Sequence, residues 1–172
     1  PIHDSYLLRN LCEGLVKILI FTCYMIGVSK LKDMRRVFSY HGAEHKTIKC
    51  YELGKPLTVE NVRPCTRFHP RCGTSFLFVV IFISILVGSV VRVGNTLLRM
   101  LCHLLLLFPV VAISYELNRL VGRHDNWLTK ILTAPGMWFQ NFTTNEPDDS
   151  MIQCAIAALE AVIPEEEGAD NW

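Results

Sequence analysis

The chain has 172 residues, 51% of them apolar and 19% charged, with a formal net charge of +1 and a positive mean hydropathy. That is too apolar for an ordinary soluble domain and too short for several large ones. Near-neutral charge gives no reason to expect nucleic acid as a partner. Seven cysteines, at 12, 23, 50, 65, 72, 102 and 154, form no CxxC pair. Their odd number and scatter exclude a disulfide framework as the organising device.

Residues 1–30 do not read as a signal peptide: the chain opens on Pro1, with no basic leader and no small-residue cleavage site. A fragment of a longer protein is expected. Residues 11–29 are apolar except for Glu13 and Lys17, four apart and able to pair on one helix face. They form the first expected membrane span. Residues 74–93 carry no charge before Arg92 and, at about 1.5 Å per residue, match a hydrocarbon core of roughly 30 Å. Residues 97–117 make a third span, with a kink expected at Pro109, where one helical hydrogen bond is lost. A soluble bundle of fully buried helices is the competing reading, and the length of the apolar runs disfavours it.

Residues 30–73, between the first two spans, hold ten Lys or Arg (30, 32, 35, 36, 46, 49, 55, 63, 67, 71) against four acids (33, 44, 52, 60). The link between the second and third spans has only Arg92 and Arg99. Positive charge stays on the cytoplasmic side, so the long loop and the region after the third span are expected in the cytoplasm of a multi-pass cell membrane protein. The lipid bilayer is then the first partner, and the basic loop also suits anionic headgroups.

Lys30 to Gly54 lacks proline and ends at a glycine suited to a helix C-terminus, so it reads as helix. Thr58 is the expected N-cap of a short helix stopped by Pro64, and residues 69–74 form a turn into the second span. Trp127 and Trp138 suggest an interfacial helix after the third span. Asp149 or Ser150 is the expected cap of a last helix, with an apolar stripe at 152, 155, 156, 159, 162 and 163. An acidic tail occupies 164–172. The fold class is therefore all-α: about three transmembrane helices in a single membrane domain, with cytoplasmic and interfacial helices.

The chemistry-bearing pattern is HxxEH at 41–45, the reverse of the HExxH zinc-protease signature. On a helix His41 and His45 are one turn apart and can reach one metal, with Glu44 beside them as a general base toward water. Two imidazoles leave zinc under-coordinated. Glu116, a carboxylate at the end of the third span, is the first-choice third ligand. Glu146, the Asp148-Asp149 pair and Glu52 follow, and His69 and Arg71 could complete the shell or hold an anion. Bland readings stand beside these. Glu116 could pair with Arg119 at i+3, Glu146 could serve the turn at Pro147, and His69 could satisfy backbone. His103 reads as a packed interhelical donor and Cys72 as structural.

The segments YHGAEHKTIKCYE (40–52), LTVENVR (57–63), HPRCGTSFL (69–77), ISYEL (113–117) and TTNEPDDSMIQCAIAAL (143–159) occur in one order. In them the chain resembles the bacterial YqhQ family, also called domain of unknown function 1385. The resemblance implies a polytopic membrane protein, longer at its N-terminus, of a group described as metal-dependent membrane enzymes. It places His41, Glu44 and His45 in an HGAEH motif, His69, Arg71 and Cys72 in HPRCGTSF, Glu116 in SYE and Glu146 in EPDD. Gln153-Cys154 departs from the acid and Val expected there and bears on packing.

The resulting expectation is a divalent metal site, zinc by preference, held by His41, His45 and a carboxylate. Glu44 would activate water and Arg71 steady developing negative charge in hydrolysis of an amide or ester near the membrane. The alternative is a non-catalytic membrane scaffold or regulator in which the same cluster is a structural metal site or a polar network. Ion or solute transport is weaker, because the spans carry few polar groups beyond Lys17 and His103.

Overall fold

A computed structural model describes residues 6–91, 93–123 and 126–164. Among the described residues there are seven helices and no strand: α1 Tyr6–Ser29, α2 Lys32–Glu52, α3 Val59–Val62, α4 Gly73–Val90, α5 Thr96–Arg123, α6 Trp127–Thr143 and α7 Asp149–Glu160. The expected acidic tail lies outside the described residues apart from Pro164.

The chain divides into two compact units, Pro1–Tyr24 with Arg71–Gly136, and Met25–Pro70 with Met137–Trp172. The first contains most of the apolar sequence. Within α1, α4 and α5 the stretches Leu8–Ser29, Gly73–Val90 and Thr96–Val121 are long and apolar enough to cross a bilayer. Few of their side chains are buried, and Leu15, Leu19, Leu104, Leu105 and Phe108 are exposed. A soluble bundle would bury that surface, so an apolar solvent is the environment these helices fit.

Two readings change in this unit. Glu13 pairs with Arg9 one turn before it (3.0 Å) rather than with Lys17. Helix α5 also continues past Pro109 to Arg123, longer than the span read from hydropathy. Close helix contacts use glycine: a Cβ on Gly14 would overlap Ile85, and one on Gly136 would overlap Ser75.

The second unit packs α2 against α7 and α3. Its core is Ala43, Cys50, Val62, Cys65 and Ile152, flanked by Leu57, Val59, Met151, Ala155 and Ile156. Helix α2 ends at Glu52, and Gly54 follows at φ 65°, the left-handed position that glycine adopts without Cβ strain. Thr58 caps α3 as expected, accepting from the Asn61 backbone N–H. The cap of α7 is Asp148, one residue earlier than expected, accepting from the Met151 N–H at 2.9 Å. The α7 stripe is at least partly buried at 152, 155, 156, 159 and 163, whereas Val162, beyond the helix end, is exposed. All seven cysteines are free thiols.

Candidate metal centre

Helix α2 supplies the first two histidines, and its packing decides how they point. Gly42 lies directly against the Asn145 backbone: a Cβ there would overlap the Asn145 carbonyl. That carbonyl belongs to the segment after α6, whose Asn145 N–H donates to the Phe38 carbonyl at 2.9 Å. The glycine between His41 and Ala43 thus lets the chain after α6 lie along α2 beside the histidines.

His41 Nδ1 is 2.8 Å from the Thr143 carbonyl oxygen, and His45 Nδ1 is 2.6 Å from that of Arg67. A carbonyl only accepts, so in each neutral ring Nδ1 carries the proton and the lone pair sits on Nε2. The two rings lie 4.3 Å apart, centroid to centroid, and the His69 ring lies 5.7 Å from that of His45. His45 and His69 are buried and His41 is partly exposed.

His69 is fixed from two directions. Its Nε2 meets the Glu52 carboxylate at 3.0 Å. Its backbone is clamped by the buried Gln140 side chain of α6. Gln140 Oε1 accepts from the His69 N–H at 2.8 Å, and Gln140 Nε2 donates to the His69 carbonyl at 2.7 Å. Burial pushes the Glu52 carboxyl toward a higher pKa, but hydrogen bonds from His69 and Lys49 and their charges outweigh it and bring it down to about 2.

The walls of this region are held by cations. Lys46, nearly buried, donates to the Arg63 carbonyl at 2.9 Å and pairs with Glu146 at 2.6 Å. Arg67 donates to the Thr144 carbonyl and hydroxyl, both at 2.7 Å, and also approaches Glu146 at 3.5 Å. The buried Thr143 hydroxyl has no hydrogen-bond partner among the described residues.

The second unit therefore brings together four of the expected residues, His41, His45, His69 and Glu52. Glu146 joins the same unit through Lys46 and Arg67. Glu44 follows His41 by three residues on α2; its side chain is exposed and has no hydrogen bond or ion pair among the described residues. Glu116 and Arg71 belong to the first unit. There Glu116 is largely exposed and lies 3.8 Å from Arg119, the i+3 pairing weighed against ligation. Asp148 and Asp149 are engaged as helix cap and as partner of Arg63 (2.7 Å).

The donor set suits a divalent metal of the zinc type. Imidazoles whose second nitrogen is held by a carbonyl or carboxylate are the arrangement in which metal-ligating histidines are usually oriented. Gln140, Arg67 and the Thr143 carbonyl were not singled out from sequence. For Gln140 a signal existed, since it is the lone strongly polar residue closing the apolar run MWFQ.

These features define the chain as an all-helical protein with three helices long and apolar enough to cross a membrane and a largely buried histidine cluster in its second unit. The model of the family described as "Protein of unknown function (DUF1385)" matches residues 2–165, and the chain belongs to that family. It is 38% identical over 164 residues, 95% of its length, to "Uncharacterized protein YqhQ" of Bacillus subtilis (strain 168). The chain spans about half of that relative, 52% of its length. No solved structure matches.

Proposed function

We propose that the protein is a metal-dependent membrane hydrolase whose metal is held by His41 and His45 through Nε2. The observation that carries this reading is the pair of Nδ1 to carbonyl contacts at 2.8 and 2.6 Å, which fixes two imidazoles one helical turn apart with their lone pairs on the same kind of nitrogen. His69, held by Glu52 at Nε2 and by Gln140 at its backbone, stands beside His45 as part of the wall of the site.

When bound there, a divalent cation such as zinc supplies Lewis acidity toward water and a substrate carbonyl or related group. The protein's own residues do the rest. Glu44, exposed and unencumbered beside His45, takes a proton from water at its carboxylate. Gln140 keeps His69 from shifting, and Lys46 and Arg67 hold Glu146 and the chain after α6 against α2. The loop and this unit lie on the cytoplasmic side, as the concentration of Lys and Arg in residues 30–73 supports.

Zinc analysis and hydrolysis of a panel of amphiphilic esters and amides, run on the protein and on Glu44→Gln, test the reading. Unchanged metal with hydrolysis lost supports it. Hydrolysis that survives the substitution removes Glu44 from the role of base. Metal without any hydrolysis favours the scaffold with a structural site, in which protein groups fill every coordination position.

A further inference from the structure

A cleft in the first unit shares no residue with the histidine cluster. Asn10, Glu13, Gly14 and Lys17 of α1, Ser84, Ile85 and Gly88 of α4, and the start of α5 from Leu97 to Leu107 line a cleft of about 700 Å³. The Asn10 side chain fixes the register, donating to the Gly88 carbonyl at 2.9 Å. The His103 ring packs on the same glycine, where an added Cβ would come within 3.0 Å of it.

The cleft carries an excess of positive charge. Its carboxylate, Glu13, is held by Arg9 at 3.0 Å. Lys17 and Arg99 have no side-chain hydrogen bond or ion pair among the described residues. Both sit within stretches able to cross a bilayer, Lys17 about 13.5 Å along the helix from Leu8 and Arg99 about 4.5 Å from Thr96 at 1.5 Å per residue. Ionisable groups at such depths face a partner, a cavity or the headgroup layer, because hydrocarbon solvates them poorly. The rest of the wall is apolar: Ile85, Leu97, Met100, Leu101, Leu104 and Leu107.

We infer that this cleft binds an anionic phospholipid, its phosphate between Lys17 and Arg99 and its acyl chains along the α5 wall. Lys17 and Arg99 outnumber the single carboxylate Glu13, whose charge acts on both, and this positive excess beside an apolar wall, opening from membrane-spanning helices, matches an amphiphile whose charge and chains lie in that order. A soluble phosphate would satisfy the cations and leave the apolar wall unmatched. Asn10 and His103 supply polar atoms at the level of Gly88 for the glycerol oxygens.

Native mass spectrometry of the delipidated protein in neutral detergent tests this. The probes are short-chain phosphatidylglycerol, phosphatidylcholine of the same chains, and inorganic phosphate. Phosphatidylglycerol is expected to bind about tenfold tighter than phosphatidylcholine, a factor well above the scatter of the method. In Lys17→Met with Arg99→Met the preference disappears, while Lys32→Gln with Lys55→Gln, which removes two exposed cations of the other unit, keeps it. Equal binding of the two lipids by the unaltered protein overturns the inference whether or not the variants fold. So does a preference that survives the double Met substitution, or full competition by inorganic phosphate at the lipid's own concentration.

Discussion

Gln140 holds His69 by both of its backbone polar atoms, accepting from its N–H at 2.8 Å and donating to its carbonyl at 2.7 Å. A side-chain amide here does what a neighbouring strand would do in a sheet. Replacement by leucine leaves a buried N–H and a buried carbonyl without that partner, each costing about 1–3 kcal/mol. Gln140→Leu should melt well below the parent protein and bind zinc more weakly. A melting curve in detergent with and without added zinc reads both effects. An unchanged melting temperature would show that the clamp contributes nothing.

Gly42 has a different task, the close approach of the Asn145 carbonyl to α2. Gly42→Ala inserts a methyl where that carbonyl lies, and overpacking of this kind costs about 1–3 kcal/mol. Gly27, with nothing near its would-be Cβ, is the control. Gly27→Ala should be neutral or slightly stabilising, as expected of a helical glycine. The two melting temperatures should therefore move in different directions or by clearly different amounts.

Much of this architecture is legible in the amino-acid sequence. The three spans were set by run length. The α7 stripe at 152, 155, 156, 159 and 163 followed from its period, and the Thr58 cap from side-chain chemistry. HxxEH located two histidines because helical periodicity brings i and i+4 together. What could not be read were the partners supplied from far along the chain: Thr143 for His41, Gln140 for His69, Glu52 with His69. Tertiary packing decides those, and no local pattern encodes it. The same limit explains Glu13, for which two cations four residues away on either side were equally available and Arg9 prevailed.

Glu52 gives a pH dependence with a definite sign. Its carboxyl is lowered from 4.5 to about 2 in the folded protein, with burial opposing and His69 and Lys49 prevailing. The stability this contributes is present in full above pH 4.5 and is lost as the pH falls through about 2. In metal-free protein the melting temperature should decline over that window, and Glu52→Gln should flatten the part due to this group. An identical acid profile in Glu52→Gln would count against the His69 contact as a determinant of stability.

Sidedness is open to direct labelling. Single-cysteine variants in a cysteine-free background, one with the native Cys154 restored on the exposed face of α7 and one with Asn95→Cys in the link before α5, should label from opposite faces of the membrane. With the basic loop inside, a membrane-impermeant maleimide added to intact cells reaches position 95 and not Cys154 until the membrane is opened. The reverse pattern would place the histidine cluster on the outer side.

Metal binding by His41 and His45 is tested most directly by elemental mass spectrometry of the purified protein beside a His41→Ala, His45→Ala double variant. About one zinc per chain, lost in the double variant while the helical content is retained, is the expected result. No metal in the parent protein after zinc loading, or equal metal in both proteins, would contradict the account and leave the cluster as a hydrogen-bonded core of a membrane scaffold.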